Sequence, residues 1–259
     1  MALLPLITLW VGRLGYLEQL CALSGLAAGH AVYIYSYDPD ALEGVPAGVE
    51  VRDAADVMPR ERMVAHESGS YALGADFWRY EMLAKGLGYW IDLDILVLKP
   101  FDFSQPYVFG SERPGHINSA VLLAPPQSEF VRDLVDLPQR PGCPQWFGPR
   151  SKLLYHLRAL VRGRPTMAEL PWGTFGPRIV TKLVQKHRLS DFVLPPEVFY
   201  PVSWDKVPSL YDPSADIDAM LTPRTHAIHL FNHQLGKLAA TLPPQGSFLH
   251  RQFQRLGVG

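Results

Sequence analysis

Apolar runs and helix-spaced patterns alternate from the start of the chain. Leu3–Leu9 is an almost unbroken apolar run, as expected of a strand buried on both faces. From about Leu14 to Ala28 the apolar positions Leu17, Leu20, Cys21 and Leu23 recur near one helical face, and Gly29 offers a stop. "HAVYIYSYD" predicts a second strand ending at Asp38-Pro39, and "GVEVRD" a short third one. The opening order is therefore β-α-β, which implies an α/β sheet with parallel neighbours.

The pattern continues with a helix in "GADFWRYEMLAKGLG", closed by Gly86 or Gly88, and a strand over residues 89–100. "HINSAVLLAPP" reads as another buried strand, and "SEFVRDLVDL" as a helix. Residues 137–150 are rich in Pro and Gly and predict a long surface loop. Helical patterns return at Ser151–Val161 and Pro177–His187, and "THAIHLFNH" reads as a late strand running into a turn. No repeat or linker divides the chain. The expectation is a single domain, residues 1–125 forming one half and 126–259 the other.

Composition narrows the classes. The chain has 259 residues, 47% hydrophobic and 19% charged, enough to bury a substantial core. A formal net charge of −1 gives no global reason to expect a nucleic-acid partner. Cys21 and Cys143 make neither a disulfide framework nor a metal spacing. "MALLPLITLWVG" lacks a basic leader and is too short to span a bilayer, so a cytoplasmic protein is expected, at most peripheral at the inner face of a membrane.

The residues 89–100, "YWIDLDILVLKP", set two acids in an apolar strand. Asp92 and Asp94 are i and i+2, so on a regular strand they project to the same face. Paired carboxylates raise each other's pKa unless a cation lies beside them, and their oxygens suit Mg²⁺ or Mn²⁺. A solvated turn at an edge strand is the plainer alternative. Asp76, Arg79 and Tyr80 share a face of the preceding helix, which leads directly into this strand. They form either a surface ion pair or one wall of a cleft shared with the aspartates.

Taken together, "DFWRYEMLAKGLGYWIDLDILVLKPFD" resembles the signature of glycosyltransferase family 32, the sugar-binding-region Asp-x-Asp group. That group includes yeast initiating mannosyltransferases, α-1,4-galactosyltransferase-like enzymes and bacterial capsular polysaccharide transferases. The resemblance implies an A-type glycosyltransferase fold, a Rossmann-like nucleotide-sugar-binding domain whose mixed sheet is flanked by helices. It implies transfer of a hexose, with retention, from a nucleoside-diphosphate sugar to a glycan or lipid-linked acceptor. A UDP-sugar is expected ahead of a GDP-sugar, with Mn²⁺ or Mg²⁺ as the ion.

Residue by residue, the resemblance implies that Asp94 ligates the metal and that Asp92 contacts the donor and reaches the metal through water. Asp76 and Arg79 would hold the donor sugar's hydroxyls, with Tyr80 beside them. Leu9, Trp10 and Val11 would follow the base and ribose, although a single aromatic after a strand also suits a core. Asn118 and Ser119 match the family's polar entry to a strand beside the site. A late ligand would come from His229, Asn232 or His233, with His229 expected at the metal and the donor, although His229 also suits a satisfied core histidine. The family often carries two Trp here; this chain has Phe231 for the first and lacks the second. Trp172, Gly173 and Gly176-Pro177 resemble the acceptor-side turn, which is otherwise a plain helix cap.

Two other classes account for the acids less fully. A haloacid-dehalogenase-like phosphatase using Asp92 and Asp94 would place that strand first and would not follow it with Lys99-Pro100. A non-catalytic sugar-nucleotide-binding protein has no need of Asp76, Arg79, Asp92 and Asp94 together. Residues 137–188 carry ten Lys and Arg against Glu169 alone. Such a run is usually a solvated face, but it also suits peripheral contact with an anionic membrane carrying a lipid-linked acceptor.

Overall fold

The computed structural model describes residues 3–65, 67, 69–139, 142–171 and 173–258. Trp172 and Arg140 lie outside them. The first half runs β1 (Leu6–Leu9), α1 (Tyr16–Ala27), β2 (Val32–Ser36), β3 (Glu50–Asp53), α2 (Ala72–Ala84), β4 (Tyr89–Ile91) and β5 (Ile95–Val97). There follow β6 (Val108–Arg113), β7 (His116–Leu123), α3 (Glu129–Val135), α4 (Pro149–Arg162) and α5 (Pro177–Lys186). The chain closes with β8 (Val193–Leu194), α6 (Pro196–Phe199), β9 (Ala227–His229), α7 (Asn232–Leu235) and α8 (Phe248–Leu256).

Seven strands form one sheet in the order β3-β2-β1-β4-β7-β6-β8. β3, β2, β1 and β4 run parallel, whereas β7 is antiparallel to both β4 and β6. The β-pleat sends successive residues to opposite layers. Leu6, Tyr89 and Ile91 join the core under α1 and α8, while Ile7, Leu9 and Trp90 join the one under α2, α3 and α5. This is a mixed sheet with helices on both faces.

One predicted strand is broken. Residues 89–100 do not run as a single element: the Asp92 N–H still bonds the Ala120 carbonyl beside β4, but Ile95 N–H then returns to the Asp92 carbonyl and closes a turn. After that turn β5 leaves the main sheet and pairs antiparallel with β9, Ile95 opposite His229. The regular i, i+2 projection of Asp92 and Asp94 is therefore replaced by a bend. A straight strand would carry both acids beneath a helix layer, whereas the bend sets them at the sheet edge and keeps Leu93 and Ile95 buried.

Candidate active site

The carboxyl end of β4 opens into a cleft of about 530 Å³. Its walls come from α2, the β4–β5 turn, β6 and β7, the segment before α5, and the corner after β9. Asp76, Arg79, Asp92, Asp94, Asn118, Ser119 and His229 all line it. Ligands of open α/β sheets bind at this edge because the chain leaves the sheet there and loops can close around a molecule.

Arg79 organises one side. Its guanidinium lies 4.5 Å over the Trp90 ring and only 7% of its side chain is exposed. Nη1 donates to both the carbonyl and the hydroxyl of Ser119, each at 2.9 Å. Nη2 stands 3.4 Å from Asp76 and 3.4 Å from Asp92. Trp90 Nε1 also donates to Asp92, at 2.8 Å. The planar fork thus ties α2 to β7 and to the β4–β5 turn at once.

Asp94 belongs to a second group. His229 Nε2 lies 3.1 Å from its Oδ1, and the Asn232 backbone N–H donates to its Oδ2 at 3.1 Å. The corner between β9 and α7 makes this possible: Phe231 adopts a left-handed φ of 44°, turning the chain so that the Asn232 N–H faces back across β5. A β-carbon-bearing aromatic in that region costs on the order of 1–3 kcal/mol, which its surroundings must offset. The Phe231 ring contributes by stacking on His229, centroids 3.9 Å apart. Asn232 turns its side chain away, donating to Glu18 of α1 at 2.7 Å.

Charge is unevenly balanced across the cleft. Burial lifts Asp76 to about 6, against the pull of Arg79 and with a further push from Asp92. Burial also raises Asp92, opposed by Arg79 and aided by Asp94. Burial acts to raise Asp94 too, but the charge and hydrogen bond of His229 and the Asn232 amide outweigh it and hold Asp94 below the usual range. His229 is raised in return, because Asp94 overcomes the desolvation that would lower it. Three carboxylates crowd one guanidinium and one imidazole, an arrangement that favours additional positive charge.

Among the described residues, Asp92, Asp94 and His229 form a group whose ligand atoms all lie within 4.8 Å of one another. His229 Nδ1 is buried without a hydrogen-bond partner among the described residues. Of the three late candidates, His229 stands with the aspartates. Asn232 reaches Asp94 through its backbone only, and His233 lines the cleft outside that group.

Other expected residues sit differently. Tyr80 is fully buried and donates its hydroxyl to the Phe175 carbonyl at 2.5 Å, so it supports the cleft wall from behind. Leu9, Trp10 and Val11 end β1 at the same sheet edge, level with the β4–β5 turn by the register Ile7–Trp90, but they are not among the cleft's lining residues. Trp10 is half-buried against the core, its Nε1 directed at the Arg13 carbonyl, and Val11 is exposed. Gly173 and Pro177 do line the cleft, and Gly176 passes close to Asp76.

Some residues of the cleft escape sequence reasoning. Glu112 of β6 accepts from Asn118 Nδ2 at 2.9 Å and lines the cleft. Its only signal is an acid at the strand end in "FGSERPG", just before the predicted β7. Trp204 also lines it, 46% exposed, and its one signal is a lone Trp in the polar loop "PVSWDK". Tyr200 packs edge-on to His229 with its hydroxyl buried and unpartnered among the described residues, and no local pattern marks it.

A parallel half-sheet continued by antiparallel strands, with an Asp-x-Asp bend at its carboxyl edge, is consistent with the A-type glycosyltransferase fold. Residues 168–254 match the family model described as the alpha 1,4-glycosyltransferase conserved region. The chain is a glycosyltransferase, and its resemblance to family 32, read from residues 76–102, is borne out by a separate part of the sequence. No curated protein matches the chain.

Proposed function

We propose that the protein is a metal-dependent hexosyltransferase that takes a sugar from a nucleoside diphosphate, a UDP-sugar ahead of a GDP-sugar, and passes it to a carbohydrate or lipid-linked acceptor. The observation that carries this reading is the convergence of Asp92, Asp94 and His229 inside the cleft. Two carboxylates and an imidazole suit Mn²⁺ or Mg²⁺, and the surplus of acids around them supports a cation at that place. When bound, the ion would supply positive charge to the donor diphosphate. Retention of anomeric configuration rests on the resemblance of the Asp-x-Asp segment.

The chain's own groups divide the remaining work. Asp76, at the cleft wall and held on one side by Arg79, offers its remaining carboxylate lone pairs to sugar hydroxyls. Arg79 is committed to Ser119, Asp76 and Asp92, so its part is to hold those carboxylates in position. Trp204 lines the part of the cleft farther along the chain, where its exposed aromatic face suits a sugar ring of the acceptor.

The test is a panel of UDP- and GDP-sugars incubated with the full chain and Mn²⁺, reading release of nucleoside diphosphate. One donor should be consumed, and EDTA or Asp94→Asn should remove the activity. Asn at this position keeps an oxygen for the Asn232 amide, so the variant should fold. Turnover of a phosphate monoester in place of every sugar nucleotide would instead assign the acids to a phosphatase.

A further inference from the structure

α4 turns its apolar side outward. Leu153, Leu154, Leu157, Leu160 and Val161 fall on one helical face, and each is at least half exposed, Leu160 and Val161 by 84% and 82%. The opposite side is the one that packs: Tyr155 is buried, and Arg158 bonds Glu169. Five large aliphatic side chains in one stripe make a contiguous patch of the kind that marks an interaction surface.

The charge around the stripe identifies what it meets. Arg150, Lys152, Arg162 and Arg164 are all exposed on or beside α4. Glu169, the nearest acid in this stretch, is already engaged by Arg158 and by Thr166. Glu67 borders one edge, beside Ser151 and Leu154; elsewhere the surface is apolar at its centre and positive at its margin. A second copy of the same face would bring like charges together, whereas an anionic bilayer matches both features. At 14 residues α4 is too short to cross a membrane, and no helix among the described residues is long and apolar enough to do so.

We propose that α4 lies in the plane of an anionic lipid bilayer, its leucines in the interface and its basic margin on the headgroups. The placement has a consequence for the site. Behind α4 lies a second, largely apolar cavity of about 610 Å³, lined in part by Tyr155 of that helix and by Trp146, with Arg164 and Lys182 on its wall. It shares Met167, Leu170 and Phe175 with the catalytic cleft. Docking through α4 sets this cavity between bilayer and cleft, which suits an acceptor with an apolar tail and an anionic linker. That consequence rests on the transferase reading; the docking does not.

Co-sedimentation of the full chain with vesicles tests it, using phosphatidylcholine alone and phosphatidylcholine mixed equally with phosphatidylglycerol. Binding is expected on the anionic vesicles at low salt, weaker at high salt, and slight on phosphatidylcholine. The double variant Leu157→Glu/Leu160→Glu should bind at least about tenfold less, with donor consumption in free solution unchanged. Leu160→Trp should strengthen binding, since Trp favours the interface. Wild-type protein left in the supernatant at low salt overturns the proposal. So does a double variant that binds as well as wild type, or a solution dimer that the double variant disperses without any vesicle binding. Donor consumption measured in parallel, without vesicles, reports on the transferase reading separately.

Discussion

Arg79 meets four acceptor groups with two nitrogens, and a lysine ammonium at the end of a flexible stem cannot span Ser119 on one side and two carboxylates on the other. Arg79→Lys should cost about 1–3 kcal/mol of stability, because it leaves buried acceptors unpaired. Its kcat/KM should fall at least about tenfold through displaced Asp76 and Asp92. Urea unfolding and initial rates measure the two, and near-normal kcat/KM would show that the fork does not position the site. Asp76 gives a pH signature. Its folded value near 6 lies above its ordinary 3.8, so its contribution to stability is fully present below 3.8 and is lost as pH rises through 6. At pH 7 the charged, buried carboxylate therefore weakens the fold. Asp76→Asn should unfold at a higher temperature than wild type at pH 7 and lose that advantage near pH 4, while transferring sugar far more slowly. Thermal unfolding at both pH values checks the sign.

The elements around the cleft show why small residues matter where chains approach. A β-carbon on Gly176, just before α5, would lie 3.1 Å and 3.2 Å from the two carboxylate oxygens of Asp76. Gly176→Ala should therefore shift that carboxylate by a few tenths of an ångström and reduce kcat/KM about tenfold, a loss larger than its effect on the unfolding midpoint would explain. Steady-state kinetics beside thermal unfolding would separate the two, and unchanged kcat/KM would mean that the wall yields instead. The bend between β4 and β5 belongs to the same scale. Beyond the turn's own Ile95–Asp92 bond, it is held by hydrogen bonds with β7 and with Leu230 after β9, far along the chain, so the local run of apolar residues could not announce it. α8 is the opposite case: Ser247 caps it and Phe248, Leu249 and Phe253 form its buried face, so its signals are local.

Across the whole molecule, the sequence by itself determined what depends on near neighbours. The β-α-β opening, the helix carrying Asp76 and Arg79, the Asp-x-Asp segment and the basic stretch from 137 to 188 were all legible, because periodicity and motif act over a few residues. It put His229 first as the late ligand while leaving Asn232 and His233 open, and it could not place Glu112, Trp204 or Tyr200. Those were decided by tertiary structure, through the pairing of Ile95 with His229 and the left-handed corner at Phe231. The outward turn of the α4 leucines was decided in the same way, since a helical stripe is written in the sequence but the side that packs is chosen by what the neighbouring cores leave open. Local sequence fixes which groups share a face; which faces meet depends on contacts between residues far apart in the chain, and only the folded chain makes those contacts.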